Sequence, residues 1–270
     1  METPFGKHHQ RTVCIYELLG TAGLMFAVVM CAGNALYVVF MLWAMLMIGG
    51  GITGGHYNPA VSTGVFLWRR KFEEDWRLYT SMMASQFVGA AIGCLFGLLM
   101  IGTFTDEWYD QNNGGGSVPM KWLPMFAPED PLNPGNPALT ERGWTAFIVQ
   151  VMCTGIFVFI ILINKSSPEV APSQVPALQC LSIALALYAM IHVSVRGGAC
   201  MNPAVGLVGS LYSSTQAWEE HKATHTAYWW AYFFGPYCGG ALAGIVASVH
   251  EQSVAKMCKK ELPVGLLDTK

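Results

Sequence analysis

The tetrapeptide Asn58-Pro59-Ala60-Val61 returns 144 residues later as Asn202-Pro203-Ala204-Val205, and the likeness extends outward from both copies. Gly54-Gly55-His56-Tyr57 precedes the first copy, and Gly198-Ala199-Cys200-Met201 precedes the second. Further back, Trp43-Ala44-Met45 answers Tyr188-Ala189-Met190, and Glu17-Leu18-Leu19-Gly20-Thr21 answers Gln150-Val151-Met152-Cys153-Thr154. A chain written twice over such a length is expected to fold as two copies of one arrangement.

The arrangement is set by hydropathy. Hydrophobic residues make up 53% of the chain and charged residues only 12%, about half the roughly 25% usual in soluble domains. Crossing a hydrocarbon core of about 30 Å takes roughly 20 apolar residues in a helix. Six windows of about that size carry no charge except Glu17 in the first, at approximately 13–32, 35–52, 78–102, 143–163, 175–195 and 227–249. The first two leave little more than Gly33 and Asn34 for a turn. Three windows fall in each copy, and an odd number inverts the second copy relative to the first, as in many transport proteins. The expected fold is thus an all-α membrane protein forming one domain over 1–270, with inverted repeats at roughly 13–102 and 143–249. The connecting stretch 103–142, with Gly114-Gly115-Gly116 and the prolines from Pro131 to Pro137, reads as an irregular surface loop.

Six spans place both ends of the chain on one side of the membrane. Lys7, Arg11, Arg69, Arg70, Lys71, Arg77, Lys165, Lys256, Lys259, Lys260 and Lys270 fall on that side, and only Lys121, Arg142, Arg196 and Lys222 on the other. The positive-inside rule then puts both ends in the cytoplasm, or in the matrix or stroma of an organelle. A plasma membrane and a mitochondrial inner membrane both fit. The polar stretch from Met1 to Arg11 and the apolar run after it lack a small-residue cleavage site, so no removable signal peptide is expected.

Each Asn-Pro-Ala should start a helix. Proline suits the first helical position, and asparagine is a favoured N-cap whose side-chain oxygen accepts an orphan backbone N–H. The apolar runs that follow, to Leu67 and to Leu211, are about ten residues long and too short to cross a bilayer. Two re-entrant half-helices result, and inversion brings their Asn ends together from opposite faces. With its oxygen used as a cap, each Asn is expected to keep both amide hydrogens free. Two such donors, backed by the positive ends of two helix dipoles, suit a passing water or hydroxyl oxygen and oppose a cation or a hopping proton.

Taken together, Glu17 with Leu18-Leu19-Gly20-Thr21, Gly54-Gly55-His56-Tyr57-Asn58-Pro59-Ala60-Val61, Gln86-Phe87-Val88-Gly89-Ala90, Asn202-Pro203-Ala204, and Gly235-Pro236 with Gly239-Gly240-Ala241 make the chain resemble the aquaporins, the major intrinsic proteins. The resemblance covers nearly the whole chain. It implies six tilted helices, two half-helices, a pore in each subunit and, usually, a homotetramer. It maps Asn58 and Asn202 to the central pair of the pore and His56 to the histidine beside it.

The departures bear on selectivity. The family usually carries arginine directly after the second Asn-Pro-Ala, and this chain has Val205. By the family's spacing the other filter positions fall near Val38, Met190 and Ala199, with His192 or Arg196 able to take the place of the missing charge. An apolar filter strips water of hydrogen bonds, so the expected pore is either wider and less discriminating or partly blocked by Met190 and its neighbours. Gln150 stands where the family usually has glutamate, and can still accept a hydrogen bond from the half-helix loop.

Glu17 is the sole carboxylate inside an expected span, and a carboxylate there serves either to hold a loop or to relay protons. His56 is either a neutral hydrogen-bonded group or a titrating one facing the pore. Cys200 lies near the position of a mercury-sensitive cysteine in some water channels, or is a packed thiol. The cysteines show no metal or disulfide spacing, and no nucleophile, phosphate loop or cofactor motif argues for an enzyme. A net charge of −2 provides no basic field for nucleic acid. The leading expectation is a passive channel for water or small neutral solutes. The alternative is a non-conducting subunit of aquaporin fold in a larger membrane complex, for which Val205 and the shortened first turn speak.

Overall fold

The computed structural model describes residues 7–31, 34–113, 129–130, 133–137, 143–168, 170–194, 197–198, 200–216 and 228–261. Its helices are α1 (Lys7–Met30), α2 (Ala35–Thr53), α3 (Pro59–Arg69), α4 (Phe72–Asn113), α5 (Gly143–Asn164), α6 (Pro176–Val193), α7 (Pro203–Gln216) and α8 (Trp229–Glu261). Six of them carry segments long and apolar enough to cross a membrane: His9–Met30, Ala35–Thr53, Phe72–Met100, Gly143–Asn164, Pro176–Val193 and Trp229–Val254. These match the six windows in place and order.

Helix ends depart from the windows because charge does not stop a helix. The segment α4 begins at Phe72, where Glu73, Glu74 and Asp75 occupy the first turn and complement the helix dipole. It continues to Asn113, immediately before the triple glycine, so the first part of the stretch expected to be an irregular loop is helical. The same stretch holds a short antiparallel pair, β1 (Glu129–Asp130) with β2 (Asn133–Pro137). Between α1 and α2, Asn34 is the N-cap, its side chain accepting from the Leu36 N–H at 3.1 Å.

Packing repeats in the two halves. Helix α1 lies on α4 as α5 lies on α8, and α1 meets α2 as α5 meets α6. The half-helices reach across unequally: α3 packs chiefly on α8 of the other half, whereas α7 packs on α4 of the other half and more closely on α8 of its own. Small residues make these approaches possible. A side chain at Gly89 or Gly93 would strike the Leu18 or Ala22 carbonyl of α1, and one at Gly240 or Gly244 would strike the Ala60 or Gly64 carbonyl of α3. In a bilayer, where lipid is as apolar as leucine, such close backbone contact is what holds helices together.

The half-helices have 11 and 14 residues, so at 1.5 Å per residue they reach only about 16 and 21 Å. Neither spans a bilayer. Their N-termini are buried in protein, the condition under which irregular backbone survives at membrane depth.

Candidate functional site

The two half-helices meet N-terminus to N-terminus. In α3 the N-cap Asn58 accepts the Ala60 N–H on Oδ1 at 2.8 Å, with Pro59 at the first helical position. In α7 Asn202 Oδ1 accepts the Ala204 N–H at 3.0 Å and the Val205 N–H at 3.4 Å. Pro59, Ala60, Pro203 and Ala204 are all buried at this junction.

The asparagine amides then bond crosswise. Asn58 Nδ2 donates to the Met201 carbonyl at 2.9 Å, and Asn202 Nδ2 donates to the Tyr57 carbonyl at 3.0 Å. The expectation that both hydrogens of each amide stay free is therefore corrected: each loop turns a carbonyl toward the opposite amide, which leaves one N–H per asparagine.

Tyr57 and Met201 are the connectors, and both hold left-handed backbone, at φ +50° and +54°. That conformation costs a non-glycine residue on the order of 1–3 kcal/mol. It turns the carbonyl of each connector toward the crossed asparagine and its N–H toward a buried side chain. The Tyr57 N–H donates to Glu17 Oε2 at 2.7 Å, and the Met201 N–H donates to Gln150 Oε1 at 2.9 Å.

Glu17, fully buried, also accepts the His56 N–H at 3.0 Å, the Thr53 hydroxyl at 2.6 Å and Gln86 Nε2 at 2.7 Å. Four donors compensate a carboxylate that would otherwise be costly to remove from water. Gln150, equally buried, spends its second function differently and donates Nε2 to the Gly197 carbonyl at 2.8 Å.

His56 continues the first network. Its Nδ1 lies 3.1 Å from Ser62 Oγ, which accepts Gln86 Nε2 at 3.0 Å, and its ring stacks on Tyr79 at 5.9 Å between centroids. The roles of Thr53, Ser62 and Gln86 carry no signal in the sequence; hydroxyls and amides of this kind occur throughout the chain. Cys200 is buried, and its thiol donates to the Asn202 carbonyl at 3.2 Å.

The filter candidates divide. Val38 belongs to one buried apolar cluster and Met190 packs against it. Val205 lies in a second cluster with Met25, Cys200, Ala204 and Tyr232, and is 3% exposed. His192 is exposed, its Nδ1 2.9 Å from the Tyr188 carbonyl of its own helix and its ring 4.2 Å from the Tyr188 ring. Arg196 and Ala199 lie outside the described residues.

Comparison with known proteins agrees with this geometry. The model of the major intrinsic proteins matches residues 14–247. Among curated relatives, aquaporin PIP1-2 of Musa acuminata subsp. malaccensis is 27% identical over 213 residues, covering 77% of this chain and 62% of the relative. Aquaporin PIP2-4 of Oryza sativa subsp. japonica is 26% identical over 214 residues, 77% of this chain and 63% of the relative. The chain thus spans less than two thirds of these relatives' length. Among solved structures, the aquaglyceroporin from Plasmodium falciparum superposes with a TM-score of 0.70 at 18% identity, covering 92% of this chain and 99% of that one, which establishes a shared fold. With six apolar spans, two half-helices and a family match over most of its length, the chain is an integral, multi-pass membrane protein of the major intrinsic protein family.

Proposed function

We propose that the protein is a passive membrane channel for water and small neutral solutes. The crossed asparagine pair carries this reading. Each amide keeps one N–H, and both stand at helix N-termini whose dipoles disfavour cations. A water oxygen accepting from both donors turns its own hydrogens outward along the path, so it cannot take a proton from a neighbour.

The filter on the side of the second motif is apolar in this reading, formed near Val38, Met190 and Val205, with Ala199 beside them and Arg196 or His192 as the polar contributor. The assembly is a homotetramer in lipid, with both ends of the chain on the cytoplasmic or matrix side. A second reading, a non-conducting subunit of a membrane complex, draws on the burial of Val205 among apolar side chains.

Reconstitution in vesicles tests both. Osmotic shrinkage should exceed that of protein-free vesicles, and Asn202→Asp should slow it, because a carboxylate would face the Tyr57 carbonyl. Val205→Arg should exclude glycerol and urea while leaving water flow. No acceleration with water, glycerol or urea would sink the channel and favour the second reading; an unchanged solute range would remove Val205 from the constriction.

A further inference from the structure

The non-helical stretch 54–57, with positive φ at Gly54, Gly55 and Tyr57, leads from the end of α2 to Asn58, and its carbonyls form a series. The innermost, on Tyr57, accepts from Asn202. Those of Gly55 and His56, both buried residues, accept no hydrogen bond among the described residues. Carbonyls of buried residues require a partner, and with none among the described residues that partner is water or a passing solute. The outermost, on Gly54, accepts from the Lys165 ammonium.

Lys165 follows the last residue of α5, where its backbone N–H closes the helix on the Ile161 and Leu162 carbonyls at 3.1 Å. Its side chain turns inward to the loop of the opposite repeat. A methyl group built on Gly54 would lie 3.2 Å from His56 Nε2 and 3.3 Å from Lys165 Nζ, so the imidazole and the ammonium converge on one point.

A row of free carbonyls attracts cations, since it can replace their hydration shell. A neutral-solute channel with such a row needs a positive charge near its entrance, and position 205, next to the second asparagine motif, holds valine. Lysine is a compact, strongly hydrated point charge suited to that task.

We propose that Lys165 is a selectivity-determining residue: its ammonium, seated on the Gly54 carbonyl beside His56, is the fixed charge that keeps cations out of the channel from the side bearing the chain termini. This rests on the channel reading above. The competing role is structural, a cation closing the C-terminus of α2.

The experiment measures water flux and potassium leak in the same vesicles. Lys165→Met should keep water flux within about twofold while potassium leak rises at least about tenfold, because the unit charge seated on the Gly54 carbonyl has been removed. Lys165→Arg should stay cation-tight. If Lys165→Met conducts water and remains tight, the proposal is overturned and the lysine is structural. If the wild type moves no water or neutral solute, the channel reading fails and this proposal falls with it.

A measurement on the unmutated protein guards against a variant that does not fold. The charged and titratable groups around this mouth are Glu17 from α1, His56 in the loop, Arg69 at the end of α3, Cys180 from α6 and Glu251 from α8, whose carboxylate accepts the Ser167 N–H at 3.4 Å. Burial lowers the Lys165 ammonium to about 8 against the opposing pull of Glu17 and Cys180. It is charged below that pH and neutral above it. Potassium leak through the wild type should therefore rise between neutral pH and about pH 9.5, and Lys165→Arg, whose guanidinium keeps its charge, should abolish the rise. A leak that stays flat in the wild type overturns the proposal.

Discussion

Glu17 and Gln150 occupy matching places in the two repeats and hold matching backbone N–H groups, those of Tyr57 and Met201, by different chemistry. Glu17 is an acceptor only, and everything turned toward it is a donor. Gln150 faces one donor and one acceptor, the Gly197 carbonyl. Each loop has the backbone orientation that its anchor requires, so the residues are equivalent by position and not exchangeable.

Glu17→Gln should turn an amide NH₂ toward at least one of four donors, and Gln150→Glu should set a carboxylate against a carbonyl. Either change leaves a buried polar group unmatched, at a cost of about 1–3 kcal/mol. Thermal unfolding in detergent should show both single variants melting below the wild type. Restored stability in the exchanged double variant would show that the two sites communicate, contrary to the separate networks described here.

Adjacent glycines in α2 should respond with opposite signs. A methyl group at Gly49 would overlap the Tyr57 hydroxyl and crowd the Tyr16 ring at 3.3 Å, whereas one at Gly50 meets nothing within 4 Å. Tyr57 cannot retreat, because its hydroxyl donates to the Met45 carbonyl at 2.8 Å and its backbone is fixed at both ends. Gly49→Ala should destabilise by about 1–3 kcal/mol through overpacking. Gly50→Ala should be neutral or stabilise by up to about 1 kcal/mol through helix propensity. Melting temperatures of the two variants decide it.

Much of this was legible in the sequence, and the limits have physical causes. The spans were legible because lipid demands long charge-free runs, whereas their ends were not, since α4 stops at the Gly114 triple glycine and not at Asp106 or Glu107. The caps at Asn58 and Asn202 were legible because capping is local, from a residue to one two positions on. The crossed bonds join residues 143 and 145 apart, and only the assembled fold brings them together. Left-handed backbone at Tyr57 and Met201 had no signal, because neither is a glycine or asparagine. Lys165 counted in the sequence only as one basic residue on the inner side.

Asn58→Asp separates the cap from the crossed bond. The carboxylate can still accept the Ala60 N–H at a helix N-terminus that favours negative charge, but it cannot donate to the Met201 carbonyl. Helix α3 should form, yet the protein should lose about 1–3 kcal/mol through the unmatched carbonyl. Asn58→Ala, which removes the cap as well, should lose roughly 1 kcal/mol more. An Asn58→Asp variant that melts with the wild type would mean that the crossed bond contributes nothing, and equal melting temperatures for the two variants would mean the same of the cap.

Met201 offers a test of the strained connector itself. Its side chain is 1% exposed and its backbone sits at φ +54°, a region that β-branched residues enter only at high cost. Met201→Leu conserves volume and should cost less than about 1.5 kcal/mol. Met201→Ile buries a similar side chain but opposes the backbone, and should cost about 1–3 kcal/mol more. Because the same residue offers its N–H to Gln150 and its carbonyl to Asn58, relaxing it also displaces the asparagine. Osmotic flux should therefore fall in Met201→Ile and persist in Met201→Leu, and equal stability with equal flux would show that the left-handed turn is not what holds the crossed pair in place.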